Sequence, residues 1–365
     1  MKRKARIAFL EEWPSLRANR VLPYLTKEFE ITYITCEMGN FPKGDFKEVI
    51  KFPAPKFMLQ RAWNFARAKD KLYEQRRIDF AYVYSSIGFL IRKTPYIHLL
   101  GGSALEDFKI KWARSGLYKK ILLLKGLIHY SLPELVACKR AKKIITNSRA
   151  LKEEISNSYN LRNKDISVIY NGVDIDFYNI QGSKLEEPGK NILFTGRLHF
   201  RKGILELVKE FSKRGDIRSN FYIAGFGPDY EAMRNLALKD SRIKVMGEVE
   251  KGRLKEIMRI TSIFLFPSFH EGCPNSLLEA MASGHACIAY DIPAVREVLQ
   301  DSGILVEVGK PQRICDELEK LLSDESKVKN FSKIAYERAK SFSWDSCAEK
   351  LADVFRCMHE ELRGN

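Results

Sequence analysis

The stretch Phe266-Pro-Ser-Phe-His-Glu-Gly-Cys-Pro-Asn-Ser-Leu-Leu-Glu-Ala-Met-Ala-Ser-Gly284 decides how this chain is read. The run Ser262–Phe266 leading into it is apolar and closed by Pro267, the pattern of a buried strand. Beyond Pro274, Leu277, Leu278 and Met281 recur at helical spacing, and Gly284 ends the pattern. Glu271 therefore falls on a strand-to-helix loop, and Glu279 about a turn and a half into the helix. An open helix end presents unpaired N–H groups and partial positive charge, which suits an anion. A carboxylate beside it accepts hydrogen bonds from hydroxyls. The combination asks for a ligand with both phosphate and hydroxyls, such as a nucleotide sugar.

Working outward, 365 residues exceed one ordinary domain and suit two. An apolar content of 45% supports well-filled cores and excludes a disordered chain. In the first half, strand patterns at Arg6–Leu10, Ile31–Thr35, Val49–Phe52, Phe80–Tyr84, Tyr96–Leu100, Lys143–Thr146 and Ile166–Tyr170 alternate with helical stretches such as Arg61–Arg76. In the second half, strands at Asn191–Thr195, Asn220–Ala224, Ile243–Met246, Ser262–Phe266, Ala286–Tyr290 and Gly303–Val308 repeat the theme. Strand–helix alternation of this kind predicts parallel sheets covered by helices. The expected architecture is α/β, with two Rossmann-like doubly wound domains facing each other across a cleft and ligands at the carboxyl ends of the strands. Turn chemistry at Tyr170-Asn-Gly-Val-Asp174 and the polar stretch Gln181–Lys190 put the boundary near 170. The expected domains are 1–170, rejoined by a C-terminal helix over 345–365, and 171–344.

The seven cysteines are scattered with no C-x-x-C pair, so neither a zinc site nor a disulfide framework is indicated, and a reduced cytoplasmic setting is expected. The opening Met1-Lys-Arg-Lys-Ala-Arg-Ile-Ala-Phe-Leu10 is too short in its apolar part for a signal peptide and is broken by Glu11-Glu12, so it reads as a first strand. No run reaches the roughly 20 apolar residues of a membrane-spanning helix.

The net charge of +16 is uneven: residues 1–170 hold 33 Lys and Arg against 16 Asp and Glu, and residues 171–365 hold 29 against 30. The densest basic part is Lys109-Ile-Lys-Trp-Ala-Arg-Ser-Gly-Leu-Tyr-Lys-Lys-Ile-Leu-Leu-Leu-Lys125. Lys109, Lys111, Arg114, Lys119 and Lys120 surround Trp112 and an apolar run, the composition of an amphipathic helix lying on an anionic membrane. The competing reading is a half-buried helix with a solvated basic face. No nucleic-acid-binding motif accompanies the charge.

After strand Asn191–Thr195 comes Gly196-Arg-Leu-His-Phe-Arg-Lys-Gly203, where Arg197 and Lys202 can address one diphosphate, Arg as a planar fork and Lys as a point charge. Taken with Ala224-Gly-x-Gly-Pro228, Gly247, Pro267-Ser-x-x-Glu271-Gly-x-Pro-Asn275 and Leu278-Glu-Ala-Met-Ala-x-Gly284, this series resembles glycosyltransferase family 4, the "glycosyl transferases group 1" set of retaining GT-B enzymes. The resemblance is strong over 165–300 and weak elsewhere. It implies that Arg197 and Lys202 bind the donor diphosphate and that Glu279 accepts from the ribose hydroxyls. Glu271 would lie by the donor sugar, with the backbone of Gly272, Cys273, Pro274, Asn275, Ser276 and Leu277 around sugar and phosphate. Gly196, Gly225, Gly227 and Gly247 would line the nucleotide cleft. Glu271, Arg197 and Lys202 are the catalytic candidates. No metal or other cofactor is implied, since fixed cations and a helix end neutralise the charge. Asp174-Ile-Asp176 has the form of a metal-binding pair but reads as turn and capping chemistry.

The first domain departs from the family pattern. Glu11-Glu-Trp-Pro-Ser-Leu-Arg17 stands where relatives carry a glycine-rich loop, and Gly101-Gly102, with His98 three residues earlier, stands where many carry a histidine. His98, Gly101 and Gly102 are therefore acceptor-side candidates. The expected partners are a nucleotide-sugar donor, a glycan or lipid-linked acceptor and an anionic membrane surface, with no nucleic acid. The expected setting is the inner face of the cytoplasmic membrane. Two other classes stay open: a GT-B sugar-nucleotide epimerase or soluble glycan synthase, and a catalytically silent nucleotide-sugar-binding scaffold.

Overall fold

The structure is a computed structural model that describes residues 3–12, 15–36, 42–52, 58–84, 86–113, 127–180 and 190–364. The chain divides into two compact units, residues 1–171 with 344–365 and residues 172–343. Each is a parallel sheet covered by helices, the doubly wound arrangement that the alternating patterns predict.

In the first unit, β1 (Arg6–Leu10), β2 (Glu30–Cys36), β3 (Glu48–Phe52), β4 (Phe80–Tyr84), β5 (Tyr96–Leu100), β6 (Lys143–Thr146) and β7 (Asp165–Val168) lie in the order β3-β2-β1-β4-β5-β6-β7. Side chains alternate across a strand, so each sheet face collects every second residue. Ile7, Phe9, Ile31, Tyr33, Phe80 and Tyr82 meet the helix Leu16–Glu28 and the C-terminal helix Trp344–Gly364. Ala8, Leu10, Ile34, Ala81 and Val83 meet Phe65, Leu72, Cys138, Leu151 and Ile155 on the other face. The C-terminal helix is held by Phe355, whose ring lies 5.4–5.7 Å from those of Phe29, Phe80 and Tyr82. β7 stops at Val168, short of the expected Tyr170, because Ile169 makes a last bond to Thr146 and the Tyr170-Asn-Gly turn follows.

In the second unit, β8 (Ile192–Thr195), β9 (Phe221–Ala224), β10 (Ile243–Gly247), β11 (Ile263–Phe266), β12 (Ala286–Tyr290) and β13 (Gly303–Val306) lie in the order β10-β9-β8-β11-β12-β13. β8, β11 and β12 are buried along their whole length, as a parallel sheet covered on both faces requires. In both sheets the strand order reverses beside the first strand. In the second unit that reversal falls between β8 and β11, so the loops following these two strands flank a crevice at the strand ends.

Candidate functional site

Backbone packing builds the floor of the candidate site. Gly196 N donates to Ala224 O at 3.0 Å, Gly225 N to Gly247 O at 2.7 Å and Leu198 N to Phe226 O at 3.0 Å. Gly196, Gly225, Gly227 and Gly247 are thereby gathered at the carboxyl ends of β8, β9 and β10. The approach is too close for any side chain at Gly225, where a Cβ would stand 1.8 Å from Gly196 O on a backbone with φ of 152°.

A second contact joins the loops after β8 and β11. A Cβ at Gly203 would stand 2.2 Å from Pro267 O, and Phe269 N donates to Arg201 O at 2.9 Å. The turn Phe200–Lys202 between them sets Lys202 at the mouth of the crevice. Its ammonium pairs with Glu271 and lies 5.5 Å from the centre of the Phe266 ring. Glu271 Oε1 also accepts from Ser268 Oγ at 2.6 Å. The Lys202 and Glu271 side chains are only 16% and 11% exposed, so solvent screens the pair weakly. Arg197 lies on the same loop, exposed, with no hydrogen bond or ion pair from its side chain found among the described residues.

The helix Asn275–Ala282 starts at Pro274 with no side chain capping its first turn. Gly272, Cys273, Pro274 and Leu277 are buried, so they can offer a ligand only backbone, while Asn275, Ser276 and Glu279 are half-buried. Ser268 carries no role in the sequence reading. Its hydroxyl fixes the Glu271 carboxylate, and its place three residues before Glu271 is the signal that could have found it. The arrangement offers a free guanidinium, a carboxylate-held ammonium and an uncapped helix start around strand ends, the donor set for a diphosphate.

Among the described residues, no group of three or more His, Cys, Asp or Glu side chains is placed to hold a metal ion. Asp174 caps the short helix Ile175–Tyr178, accepting from Phe177 N at 3.1 Å. His285 is buried between Thr261 and Ser283, each 2.9 Å away. Cys273 is in no disulfide and is buried, like five of the other six cysteines.

In the first unit, His98 is fully buried at mid-sheet, where burial pushes its pKa down to about 4. It is a neutral strand residue with no surface to offer an acceptor. Gly101 and Gly102 follow β5 at the strand ends, with Gly101 O accepting from Asn147 at 3.4 Å. Beneath the same edge, Glu11 is buried, accepts from Tyr33 Oη at 2.5 Å, and is pushed up to about 7 by desolvation. Glu134 behaves alike: it accepts from Tyr159 Oη at 2.6 Å and from Ala104 N at 2.9 Å, and burial raises it to about 7. Sequence reading misses both, because neither motif nor spacing marks a buried carboxyl.

The basic segment is seen in part. Lys109, Lys111 and Trp112 lie on the helix Ala104–Ala113, where exposed Lys109 pairs with Glu106 and Trp112 sits 5.6 Å from Phe108. Arg114, Lys119 and Lys120 lie outside the described residues. Among the described residues, no helix is long and apolar enough to cross a membrane.

Two parallel-sheet Rossmann-like units with a cationic, glycine-lined crevice in the second define a GT-B glycosyltransferase fold. Family models agree: "Glycosyltransferase Family 4" matches residues 18–177 and "Glycosyl transferases group 1" matches 189–324, together more than half of the chain. The chain belongs to glycosyltransferase family 4. An uncharacterised glycosyltransferase of Methanocaldococcus jannaschii is 26% identical over 90% of each chain, and another from that organism is 27% identical over 60% of this chain and 61% of its own. Several further relatives align over about half of their length. Among solved structures, sucrose-phosphate synthase from Thermosynechococcus elongatus superposes with a TM-score of 0.77, covering 98% of this chain and 100% of that one at 13% identity. Anabaena HepE in complex with UDP-glucose superposes with a TM-score of 0.73, covering 96% and 99% at 17% identity. At such identities the likeness establishes the fold.

Proposed function

We propose that this protein is a retaining, metal-independent glycosyltransferase that moves a sugar from a nucleoside-diphosphate donor to a glycan or lipid-linked acceptor at a membrane face. The observation that carries the reading is the Lys202–Glu271 pair, which joins the loops after β8 and β11 beside exposed Arg197. Support also comes from HepE, which shares the fold and was solved with UDP-glucose.

In this reaction the bond between the anomeric carbon and phosphate oxygen breaks with its electron pair leaving on the diphosphate. The acceptor oxygen bonds to the same carbon on the same face, and its proton passes to the departing phosphate oxygen. Lys202 and Arg197 neutralise the charge that grows on the diphosphate, while Glu271 and Ser268 hold Lys202 in place. Backbone N–H groups over Gly272–Leu277 complete the anion site, and Glu279 accepts from the ribose hydroxyls. Donor binding belongs to the second unit and acceptor binding to the first, whose positive charge suits an anionic membrane.

The test is a thermal-shift panel of UDP, GDP, UDP-glucose, UDP-N-acetylglucosamine and GDP-mannose without metal, on wild type and Arg197→Ala. One nucleotide should stabilise wild type and lose that effect in the variant. Binding that needs a divalent ion, or that Arg197→Ala leaves intact, contradicts the reading. Liposome sedimentation with and without anionic lipid tests the membrane part, and binding insensitive to both salt and lipid charge sinks it.

A further inference from the structure

A cavity of about 550 Å³ opens at the edge of the first unit where β1, β4 and β5 begin, the end opposite Glu11 and Gly101. Its volume lies within the range of small-molecule sites. Tyr73, Ile78 and Leu362 supply an apolar floor, and five cations stand around it against two carboxylates. Those carboxylates are spoken for: Asp79 is held by Arg6 at 2.9 Å and Arg3 at 3.2 Å, and Glu74 pairs with Lys93. Arg76 and Arg363 remain, both exposed and both lining the cavity, one after the helix Met58–Glu74 and one on the C-terminal helix. No ion pair is found for either among the described residues. His359, also in the wall, has both ring nitrogens buried with no hydrogen-bond partner among the described residues. Its Nδ1 lies 3.9 Å from Asp79 Oδ2, beyond hydrogen-bond reach.

Arg76 carries a second signal. It ends its helix in the left-handed region, with φ of 52°, while Arg76 N bonds Tyr73 O and Arg77 N bonds Leu72 O, both at 2.8 Å. This is a helix-terminating position that glycine fills without strain. An arginine stands there against its backbone preference and lines the cavity.

We propose that this cavity is a binding site for a small phosphorylated molecule, whose phosphate is gripped by Arg76 and Arg363 and whose apolar or ring portion rests on Tyr73, Ile78 and Leu362. Two guanidinium forks match phosphate oxygens bidentately. Because the wall is shared between the sheet edge and the C-terminal helix, an occupant ties that helix to the sheet. The chemistry fits a soluble phosphate ester or diphosphate and also the headgroup of a phospholipid.

The probe is pyrophosphate, followed by NMR through the His359 imidazole and by thermal unfolding, in full-length protein carrying Arg197→Ala so that the donor loop contributes little. Expected is a saturable His359 shift with a raised melting temperature. Arg76→Gly with Arg363→Ala should weaken binding at least about tenfold, since each lost charge-assisted bond to phosphate is of the order that moves an equilibrium by that factor. Arg76→Gly alone should melt no lower than its parent, which separates a lost ligand contact from a lost fold. Vesicles of phosphatidylcholine with phosphatidylinositol 4-phosphate form a second arm. Capture that depends on Arg76 and Arg363 assigns the site to a headgroup, and dependence seen only with pyrophosphate assigns it to a soluble ligand. The proposal is overturned if neither probe binds in a way that depends on these two arginines.

Discussion

Separating Lys202 from Glu271 tests the assignment of charge in the candidate site most directly. In the unliganded protein the ammonium already has a counter-charge, and both side chains are under one-fifth exposed. A diphosphate must therefore compete with Glu271 for Lys202. Lys202→Ala leaves a half-buried carboxylate with Ser268 as its remaining side-chain donor, a loss of about 1–3 kcal/mol in stability. It also removes a fixed cation from the leaving group, so turnover should fall by about 10²–10³, or about 3–4 kcal/mol of transition-state stabilisation. Glu271→Gln keeps an oxygen for Ser268 and releases the ammonium. Its affinity for the nucleoside diphosphate should stay level or rise by up to about tenfold, about 1.4 kcal/mol. Its turnover should still fall, because Lys202 is no longer held at the β8 loop. Calorimetric titration of UDP and GDP, transfer rates and urea unfolding of both single variants and the double variant give the coupling between the residues. Equal loss of diphosphate affinity in the two single variants would refute the competition. A Lys202→Ala enzyme within about fivefold of wild-type turnover would remove Lys202 from catalysis.

Gly225→Ala should abolish nucleotide binding and cost about 2–4 kcal/mol in urea unfolding, because its Cβ would meet Gly196 O at 1.8 Å and the loops must separate. Phe355→Ala should cost about 3–5 kcal/mol, since the ring is fully buried among Phe29, Phe80 and Tyr82, and limited proteolysis should then release the C-terminal helix. Glu11 titrates near 7 when folded against an ordinary value of 4.5, so the folded state keeps a proton that the unfolded chain gives up. Its contribution is therefore full below about pH 4.5, shrinks as pH rises to about 7 and is flat above, a loss on the order of 3 kcal/mol. Glu11→Gln should flatten that part of the stability–pH curve, leave the parallel decline from Glu134, and leave the opposite loss below about pH 6.5 that comes from His98 having to take up a proton. An unchanged slope in Glu11→Gln would show that the carboxyl is ionised in the folded protein.

How far the sequence can be read depends on how local the deciding physics is. Buried parallel strands are apolar throughout, so β8, β11 and β12 stand out from their neighbours by residue type alone. The glycines at 203, 225 and 227 are visible for a related reason: each marks a place where a Cβ would run into backbone, and only one residue type permits that. The partnership of Lys202 with Glu271 spans 69 positions and is reachable only because both belong to one spaced motif series. The first unit offers no such series. Glu11 looks like any charged residue at the end of a strand. Its raised pKa and its bond from Tyr33 follow from β2 lying beside β1 and shielding it from water, a fact of sheet order that no window of residues contains. The cavity at the start of the strands is the extreme case. Arg3, Arg76 and Arg363 are spread from one end of the chain to the other, and only the return of the C-terminal helix to the first sheet brings them to one wall. In the sequence they merge into a diffuse positive charge that reads as solubility or membrane attraction. In the fold, the same charge divides into arginines paired with Asp79 and arginines left facing a cavity. Net charge thus marks a unit rich in cations, and pairing within the folded unit decides which of them remain available to an anion.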